Sequence, residues 1–301
     1  MSAQCQPVVL PEIKKILYAT DLSENSRVAV PYICAIASWF GAEIHVVHAI
    51  SPEHVRPELD TDLTAAVAEI KSFLASHPFA PRKCSLTVER GQLCTVLDRC
   101  TVANDIDLIV LGTHGRKEDG KLVLGSGAEQ ILRHSACPVF TVGPHCQPRE
   151  ETVRTVLFAT DFSARVGVEL NYAASICHVK HARLVLLHVV TPAAYLLPSA
   201  GSNLDVPDFA DQHVDQARAR AQQKLNLLAA DEKLRGTKVE TMVEVGDPSE
   251  LILSCASVCE ADQIVMGAHP IESGTVASHV PWAVTSRVVS DAHCPVLTVR
   301  S

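Results

Sequence analysis

A run of glycines followed by a helix start has the composition of an anion-binding loop. Gly112-Thr113-His114-Gly115 follows an apolar, β-rich run, and nine residues separate Gly115 from Gly125-Ser126, which opens a helical pattern. Glycines let a backbone approach a ligand closely, and the free N–H groups of a helix N-terminus bind anions. The alternative interpretation is that the glycines only make turns and that Ser126 only caps its helix.

Charged residues accompany this pattern on both sides. Three basic residues lie in the loop between the glycines, at Arg116, Lys117 and Lys121, where they can neutralise phosphates. Asp21 ends the first apolar run of the chain and can accept hydrogen bonds from a base or a ribose. Together these residues predict a nucleotide site. His114 either contacts a phosphate or faces solvent, and the sequence does not decide between the two.

The chain repeats itself, and the repeat suggests two domains. Most of the matches share an offset of about 140 or 155 residues, and the second copy carries a longer excursion at about 191–235. The matched pairs are 16–23 with 156–163, His48 with His188, 88–91 with 243–246, 108–112 with 263–267, and 137–142 with 294–299. The polar, proline-bounded segment 144–152 is the predicted linker. We expect domains at residues 1–146 and 147–301.

Each copy alternates β-rich runs with helical patterns, which predicts an α/β fold. The first copy predicts strands near 14–20, 43–49, 84–90, 107–112 and 138–142, and helices near 24–40, 60–76, 92–104 and 125–135. Such alternation implies a parallel sheet between helix layers. We therefore expect two doubly wound, five-stranded parallel sheets of order 3-2-1-4-5, a nucleotide-binding, α-hydrolase-like or Rossmann-like architecture. Ligands bind such sheets where the strand order reverses, here between strands one and four.

Composition excludes several classes of protein. The net charge is −8 and both halves are acidic, so binding to nucleic acid is not expected. No apolar run approaches the roughly 20 residues that span a bilayer, and the amphipathic segment 211–230 is predicted to be a packed surface helix. Six cysteines lie among apolar neighbours and are expected to be buried: Cys34, Cys100, Cys137, Cys177, Cys255 and Cys294. A metal site is not expected, and the predicted location is the reducing cytoplasm.

Both copies resemble the universal stress protein family over nearly the whole chain. The family's nucleotide-binding form carries G-x2-G-x9-G-(S/T), which the first copy reproduces at Gly112, Gly115, Gly125 and Ser126. The resemblance implies one site per chain for ATP with Mg²⁺, in which Asp21 and Ala49 line the adenine pocket and the glycine loops hold ribose and phosphates. The implied site residues are Ala19, Asp21, Ala49, Leu111, Gly112, His114, Gly115, Gly125, Ser126, Gly127 and Ala128.

The second copy departs from the family's pattern. Asp161 and Gly267 persist, but Pro270, which has no N–H, stands where the first copy has Gly115. Gly125-Ser126 corresponds to Trp282-Ala283 when counted from the end of the copy, or to Val280-Pro281 when counted from Gly267. The second loop contains Glu272 and no lysine or arginine. We expect that this copy does not bind ATP in the family's manner and that its role is structural.

The last strand of each copy, 138–142 and 295–299, is a predicted apolar sheet edge, which needs a partner. Single-domain members of the resembled family commonly dimerise through this strand. We therefore expect an intramolecular pseudo-dimer, with association of two chains into a homodimer as a further step.

Three functions stay open at this point. The first is a stress-response regulatory protein whose ATP occupancy changes the binding of an unidentified protein partner. The second is a slow ATPase or phosphotransferase; fast phosphoryl transfer is disfavoured because the chain has no G-x4-G-K-(S/T) loop and no acidic pair obviously aimed at the phosphates. The third is a scaffold that binds no nucleotide, or a binder of another small ligand at the excursion 191–210.

Overall fold

The computed structural model describes residues 11–50, 84–113, 124–146, 152–192, 207–268 and 279–300, together with residues 67, 68, 71, 72 and 75. The chain divides into two compact units. Unit A comprises residues 12–152 and 268–301, and unit B comprises residues 1–11 and 153–267. Unit A therefore contains the first repeat together with the last helix and strand of the second. The predicted boundary between domains at residues 146 and 147 stays a prediction.

The first repeat folds into a parallel sheet with helical crossovers, as the sequence predicts. Its elements are β1 (Lys15–Ala19), α1 (Glu24–Arg27), α2 (Val30–Phe40), β2 (Glu43–Ile50), β3 (Cys84–Arg90), α3 (Leu93–Asn104), β4 (Leu108–Gly112), α4 (Ser126–His134) and β5 (Val139–Val142). The strands pair in the order β3-β2-β1-β4-β5, all parallel. The α/β fold class is confirmed, and the switch point lies between β1 and β4.

The predicted helix 24–40 forms as two helices. Ser23 caps α1 with its hydroxyl, which accepts from the Ser26 N–H at 3.2 Å. The second helix, α2, starts at Val30 with Pro31 in its first turn. Proline has no N–H to donate to the preceding turn, so it is tolerated at a helix start and not in a helix interior. Most of the predicted helix 60–76 lies outside the described residues.

The second repeat follows the same plan. Its elements are β6 (Thr155–Ala159), α5 (Val166–Lys180), β7 (Arg183–Val190), α6 (Pro207–Ala229), a 3-10 helix (Glu232–Leu234), β8 (Val239–Val245), α7 (Pro248–Val258), β9 (Gln263–Ala268), α8 (His279–Asp291) and β10 (Val296–Arg300). In unit B the strands run β8-β7-β6-β9, again parallel.

The predicted surface helix 211–230 forms and is longer than expected. Helix α6 begins at Pro207, so the last four residues of the excursion 191–210 are helical and not loop. The helix packs through Ala221 and Leu225, which are buried. The Gln222 side-chain amide donates to the Thr241 hydroxyl of β8 at 2.9 Å. Residues 193–206 lie outside the described residues. Across the described parts of the chain, every helix is too short or too polar to pass through a lipid bilayer.

Within unit A, the last strand of the second repeat pairs with the last strand of the first. Strand β10 is antiparallel to β5, with Leu297 opposite Phe140. Two threonine hydroxyls reinforce the pair: Thr141 donates to the carbonyl of Val296 at 3.0 Å, and Thr298 donates to the carbonyl of Val139 at 3.2 Å. All six of these residues are buried, so the edge of β5 is covered along this pair.

Apolar residues cover both faces of the central strands. In β1, the four residues from Ile16 to Ala19 are all buried, and β6 is buried throughout. This is the pattern of a parallel sheet between two helix layers. The six cysteines expected to be core residues are all buried. Burial raises the pKa of Cys137 and Cys177 to about 12, so these thiols are protonated core side chains.

Replacing Tyr18 with phenylalanine is expected to lower the free energy of unfolding by about 1 kcal/mol. The buried Tyr18 hydroxyl donates to the Ser26 carbonyl at 2.8 Å, and burial raises the pKa of this phenol. The Ala29 N–H also donates to the same carbonyl, at 3.2 Å, so the acceptor keeps a partner and the loss stays small. The second repeat already has phenylalanine, Phe158, at the matching position. Urea unfolding measures the change, and an unaltered midpoint would contradict it.

Candidate functional site

A cavity of about 510 Å³ opens at the carboxyl ends of the first repeat's strands. Its volume lies within the roughly 300–1,000 Å³ that is usual for small-molecule sites. The lining residues come from the ends of β1, β2 and β4, from α1, from the segment that joins β3 to α3, and from the first two turns of α4; they are Ala19, Thr20, Asp21, Ser26, Ala49, Gly91, Gln92, Leu93, Leu111, Gly112, Thr113, Gly125, Ser126, Gly127, Ala128, Gln130 and Ile131. The cavity therefore lies at the switch point of the sheet.

Most of the residues selected from the sequence meet at this cavity. The lining includes Ala19, Asp21, Ala49, Leu111, Gly112, Gly125, Ser126, Gly127 and Ala128. The two others, His114 and Gly115, lie outside the described residues, as do the three basic residues of the same loop. What these residues bind stays a prediction.

The Asp21 carboxylate is held by the turn that follows β1. Its Oδ1 accepts from the Ser23 N–H at 3.0 Å and from the Ser23 hydroxyl at 2.6 Å. Between them, Leu22 has a φ of 68°, a conformation that non-glycine residues rarely adopt. Such local strain persists only where the surrounding contacts impose it. Asp21 is exposed at the rim of the cavity, and it is the only charged residue among the described lining residues.

His48, near the end of β2, connects this turn to the sheet through a hydrogen bond. His48 Nδ1 lies 2.8 Å from the carbonyl oxygen of Thr20, so Nδ1 donates this hydrogen bond. The second repeat contains the same contact, between His188 Nδ1 and the carbonyl of Thr160 at 2.8 Å. The histidines matched in the two copies of the sequence therefore position the loop after the first strand of each repeat. In the first repeat, this also orders Ala49, the residue next to His48.

The start of helix α4 forms one end of the cavity. Gly125 is the N-cap, with φ −61° and ψ 143°, and no side chain caps the first turn. The Gly125 N–H donates to the carbonyl of Thr113 at 2.7 Å, which joins the helix start to the end of β4. The N–H groups of Ser126, Gly127 and Ala128 precede the first intrahelical bond, in which the Glu129 N–H donates to the Gly125 carbonyl at 2.9 Å, so they have no acceptor inside the helix. They and the helix dipole favour a bound anion at this point.

Gly112 is required by the packing of the chain itself. A Cβ at Gly112 would lie 2.6 Å from the carbonyl oxygen of Asn25 and 3.1 Å from the Cα of Ser26. Both neighbours are backbone atoms. Helix α1, which follows the Asp21 turn, therefore rests directly on the end of β4, and this contact brings the Asp21 side and the glycine side of the site together.

Sequence reasoning missed the contribution of the loop after β3. Gly91, Gln92 and Leu93 line the cavity, as does Gln130 one turn into α4. The Cys94 thiol lies 3.9 Å from Gln130 Oε1, within the distance of a weak hydrogen bond. The two glutamine amides add neutral donors and acceptors to the site. The repeated VERG and VEVG segments carried a signal for this loop, because each ends in a glycine directly after a strand.

The second repeat keeps the turn but changes its surroundings. Ser163 N–H donates to Asp161 Oδ1 at 2.9 Å, as in the first repeat. However, Phe162 stacks on His188 with ring centroids 4.4 Å apart, and Lys224 of α6 lies 4.8 Å above the Phe162 ring. Burial lowers the pKa of His188, which favours the neutral imidazole in this stack.

A buried carboxyl group lies beside Gly267 in unit B. A Cβ at Gly267 would lie 2.8 Å from Glu169 Cδ, and Glu169 is only 1% exposed. The Ser163 hydroxyl donates to Glu169 Oε1 at 3.4 Å. The first repeat has Ala29 at the matching position. An acidic side chain at the end of β9 disfavours phosphate, so this residue adds to the departures that the sequence had shown at Pro270 and Glu272, both of which lie outside the described residues.

Trp282, which one of the two possible alignments puts at the phosphate position of the second repeat, packs within unit A. The Arg133 guanidinium of α4 lies 4.1 Å above the Trp282 ring. Arg133 also donates to Glu129 Oε1 from Nε at 2.9 Å. A planar cation on an indole face is a favourable pairing, and it joins α8 to the helix that begins at the cavity.

Comparisons with known proteins identify the fold and the family. The model of the universal stress protein family matches residues 12–143 and again residues 152–300. A universal stress protein of Mycolicibacterium smegmatis is 25% identical over 296 residues, covering 95% of this chain and 96% of that protein. One from Synechocystis is 24% identical over 321 residues, covering 96% of this chain and 100% of that protein.

A solved structure shares the architecture over the same length. The crystal structure of a universal stress protein from Archaeoglobus fulgidus superimposes with a TM-score of 0.69 at 20% identity, covering 96% of this chain and 97% of that one. Two family matches in succession, together with full-length relatives, agree with the two repeats seen in the sequence and in the strand order. The chain belongs to the universal stress protein family, as a member that carries two copies of the family's domain.

Proposed function

We propose that the first repeat binds one ATP, with Mg²⁺, and that its occupancy regulates the binding of a protein partner in the cytoplasmic stress response. The observation that carries this proposal is that four parts of the first repeat line one cavity: the Asp21 turn, Ala49, the end of β4 and the start of α4. The residues present fit a nucleotide: a carboxylate and backbone groups at one end, and free helix N–H groups at the other.

The two ends of the cavity would have different roles. Asp21 and Ala49 would contact the base or ribose, where a carboxylate accepts hydrogen bonds from N–H and O–H groups. The backbone from Gly125 to Ala128 would hold the phosphates, because it combines glycine, small side chains and N–H donors. The amides of Gln92 and Gln130 would add contacts between these ends.

Regulation fits this geometry better than rapid catalysis does. Fast phosphoryl transfer needs a positioned base, metal ligands and a charge clamp. Among the described lining residues, Asp21 supplies the only carboxylate, and it lies at the rim within the Ser23 turn. The antiparallel pairing of β5 with β10 further supports an internal pair of repeats, in which the second repeat serves a structural role; pairing of two whole chains is part of the same proposal.

The test is a calorimetric titration of the nucleotide-stripped chain with ATP and Mg²⁺. One site per chain supports the proposal, and two sites would show that the second repeat also binds. An unchanged melting temperature in excess ATP, together with no heat of binding, would overturn it in favour of a scaffold, because a ligand of the native state must raise stability.

Asp21→Ala is expected to weaken ATP binding about 10- to 100-fold, the equivalent of a hydrogen bond to a charged group. The matched control is Asp161→Ala in the second repeat, since Asp161 makes the same turn with Ser163. Both variants lose one Asx turn, so their changes in stability should be similar. Equal affinity in the two variants would contradict the assignment of the base-binding end to Asp21.

A further inference from the structure

Two exposed histidines face each other where β5 ends and β10 begins. His145 follows β5 by three residues, and His293 precedes β10 by three residues. Their ring centroids are 5.4 Å apart, with an angle of 61° between the ring planes. Both side chains belong to unit A. The nucleotide proposal uses neither of them, and sequence reasoning did not select them.

The backbone on each side of this pair is well anchored. The Cys146 N–H donates to the carbonyl of Gly143 at 3.1 Å, which closes the turn that carries His145. On the other side, the Ala292 N–H donates to the carbonyl of Val288 at 3.0 Å and fixes the residue before His293. A Cβ at Gly143 would lie 3.6 Å from the carbonyl oxygen of Ala292, so the two turns are in contact. The histidines therefore meet because the strand pair brings their turns together.

The spacing suits a shared metal ion. Neutral imidazole is the commonest protein ligand for late transition metals. With Zn–N bonds of about 2.0–2.1 Å and a tetrahedral angle at the metal, the centres of two coordinating imidazole rings lie roughly 5 Å apart. The observed separation of 5.4 Å agrees with this value. Since both rings are exposed, they can rotate to direct one nitrogen each to a common point.

We propose that His145 and His293 form a binding site for a late transition metal dication, with Zn²⁺ as the representative ion. Within the residues that the structure describes, no third histidine, cysteine or acidic side chain joins them in a metal-binding cluster. Water completes the coordination shell, so this is an open, two-histidine site. Nitrogen ligands select Zn²⁺, Ni²⁺ or Cu²⁺ over Mg²⁺ and Ca²⁺, which prefer oxygen.

The neighbouring cysteines do not take part in this site. Cys146 and Cys294 follow the two histidines directly in the sequence, but both are buried. The two imidazoles are exposed, so the buried thiols are not placed on the surface where the rings meet. The ligands are imidazole nitrogens alone, which separates this site from a structural zinc centre.

A metal bound here would join the end of the first repeat to the last strand of the second. Because the two histidines come from turns far apart in the sequence, the site exists only in the folded chain. Its ligand therefore stabilises the native state by mass action, and the metal acts on the β5–β10 pair and not on the nucleotide cavity.

The experiment is a Zn²⁺ titration of the full chain under reducing conditions, in parallel with His145→Gln, His293→Gln and the control His134→Gln. His134 is an exposed histidine at the end of α4. Removing a group that only hydrogen-bonds to a metal ligand lowers metal affinity roughly 10–100-fold. Removing a ligand itself should therefore lower the Zn²⁺ affinity by at least as much. In either site variant, we expect the chain to bind one Zn²⁺ fewer and the zinc-dependent rise in melting temperature to disappear. In the control His134→Gln, we expect both the bound Zn²⁺ and the rise in melting temperature to persist.

Co²⁺ as a second probe distinguishes the ligands. Absorption of a tetrahedral Co²⁺ centre without thiolate charge-transfer bands supports two imidazoles and water. Three results would each overturn the proposal. The first is thiolate bands that persist in both site variants, and the second is equal Zn²⁺ affinity in the parent chain and all three variants. The third is a loss of Zn²⁺ affinity in His134→Gln as large as in the site variants. Melting temperatures measured without metal check that the variants are folded; because all three histidines are exposed, we expect these values to match the parent chain.

Discussion

Replacing Gly125 with tryptophan is expected to abolish ATP binding while leaving the protein folded. Gly125 lines the cavity as the N-cap of α4, and its φ of −61° and ψ of 143° are open to any L-residue. The backbone can therefore accept a side chain, but an indole at this point occupies the space assigned to the phosphates. We expect affinity to fall by at least about 100-fold, which corresponds to roughly 2.8 kcal/mol. Calorimetry of the stripped chain measures this loss.

Gly125→Ala is the matched control for this substitution. A methyl group at the same position changes the local chain entropy equally but leaves most of the cavity open, so binding should fall far less than in Gly125→Trp. Thermal unfolding of both variants without ATP establishes that they are folded. If Gly125→Trp binds ATP as the parent chain does, the phosphates do not lie at the start of α4, and the proposed site is wrong.

Gly112→Ala is expected to lower the free energy of unfolding by about 1–3 kcal/mol and to weaken ATP binding as well. The new Cβ would lie 2.6 Å from the Asn25 carbonyl oxygen, a backbone atom that cannot rotate away. Helix α1 must then move off the end of β4. Since the Asp21 turn leads directly into this helix, the base-binding end of the cavity moves with it. Denaturant unfolding gives the stability change, and calorimetry gives the change in affinity.

The matched variant in the second repeat is Gly267→Ala. Its Cβ would meet the carboxyl end of Glu169, a side chain with rotatable bonds, and not backbone. We therefore expect a smaller loss of stability than in Gly112→Ala, and no change in ATP affinity. A larger loss in Gly267→Ala would mean that Glu169 cannot shift in its buried position, and that the distinction between side-chain and backbone neighbours fails here.

The strands of the first repeat and its helices α3 and α4 followed from local patterns. Continuous apolar runs such as 16–19 predict buried parallel strands, because a sheet covered on both faces excludes polar residues from both. The prediction of one continuous helix over 24–40 was wrong for a local reason that periodicity does not detect. The polar first turn and Pro31 favour two successive helices, one that ends before Pro31 and a second that begins there. Helix α6 began earlier than expected, at Pro207, because proline is favoured in the first turn of a helix even where the surrounding sequence has no helical pattern.

The candidate site was predictable where topology alone brings residues together. In a doubly wound sheet the ends of strands one and four are neighbours, so Asp21 and Gly112 had to lie near each other. The contributions of Gln92 and Gln130 depend on how α3 and α4 pack against the sheet, and an amide side chain has no sequence signature of its own. Glu169 was missed for the same reason: its place beside Gly267 is set by packing between α5 and β9.

By itself, the sequence determined the family, the two repeats, the α/β class and the end of the sheet where a ligand would bind. These follow from patterns that act over a few residues or from order along the chain. Only the tertiary structure decided that the Asn25 carbonyl rests on Gly112, that Arg133 covers Trp282, and that His145 meets His293. The physical reason is that such contacts join residues far apart in sequence, and their geometry is fixed by the packing of whole strands and helices, which no local pattern encodes.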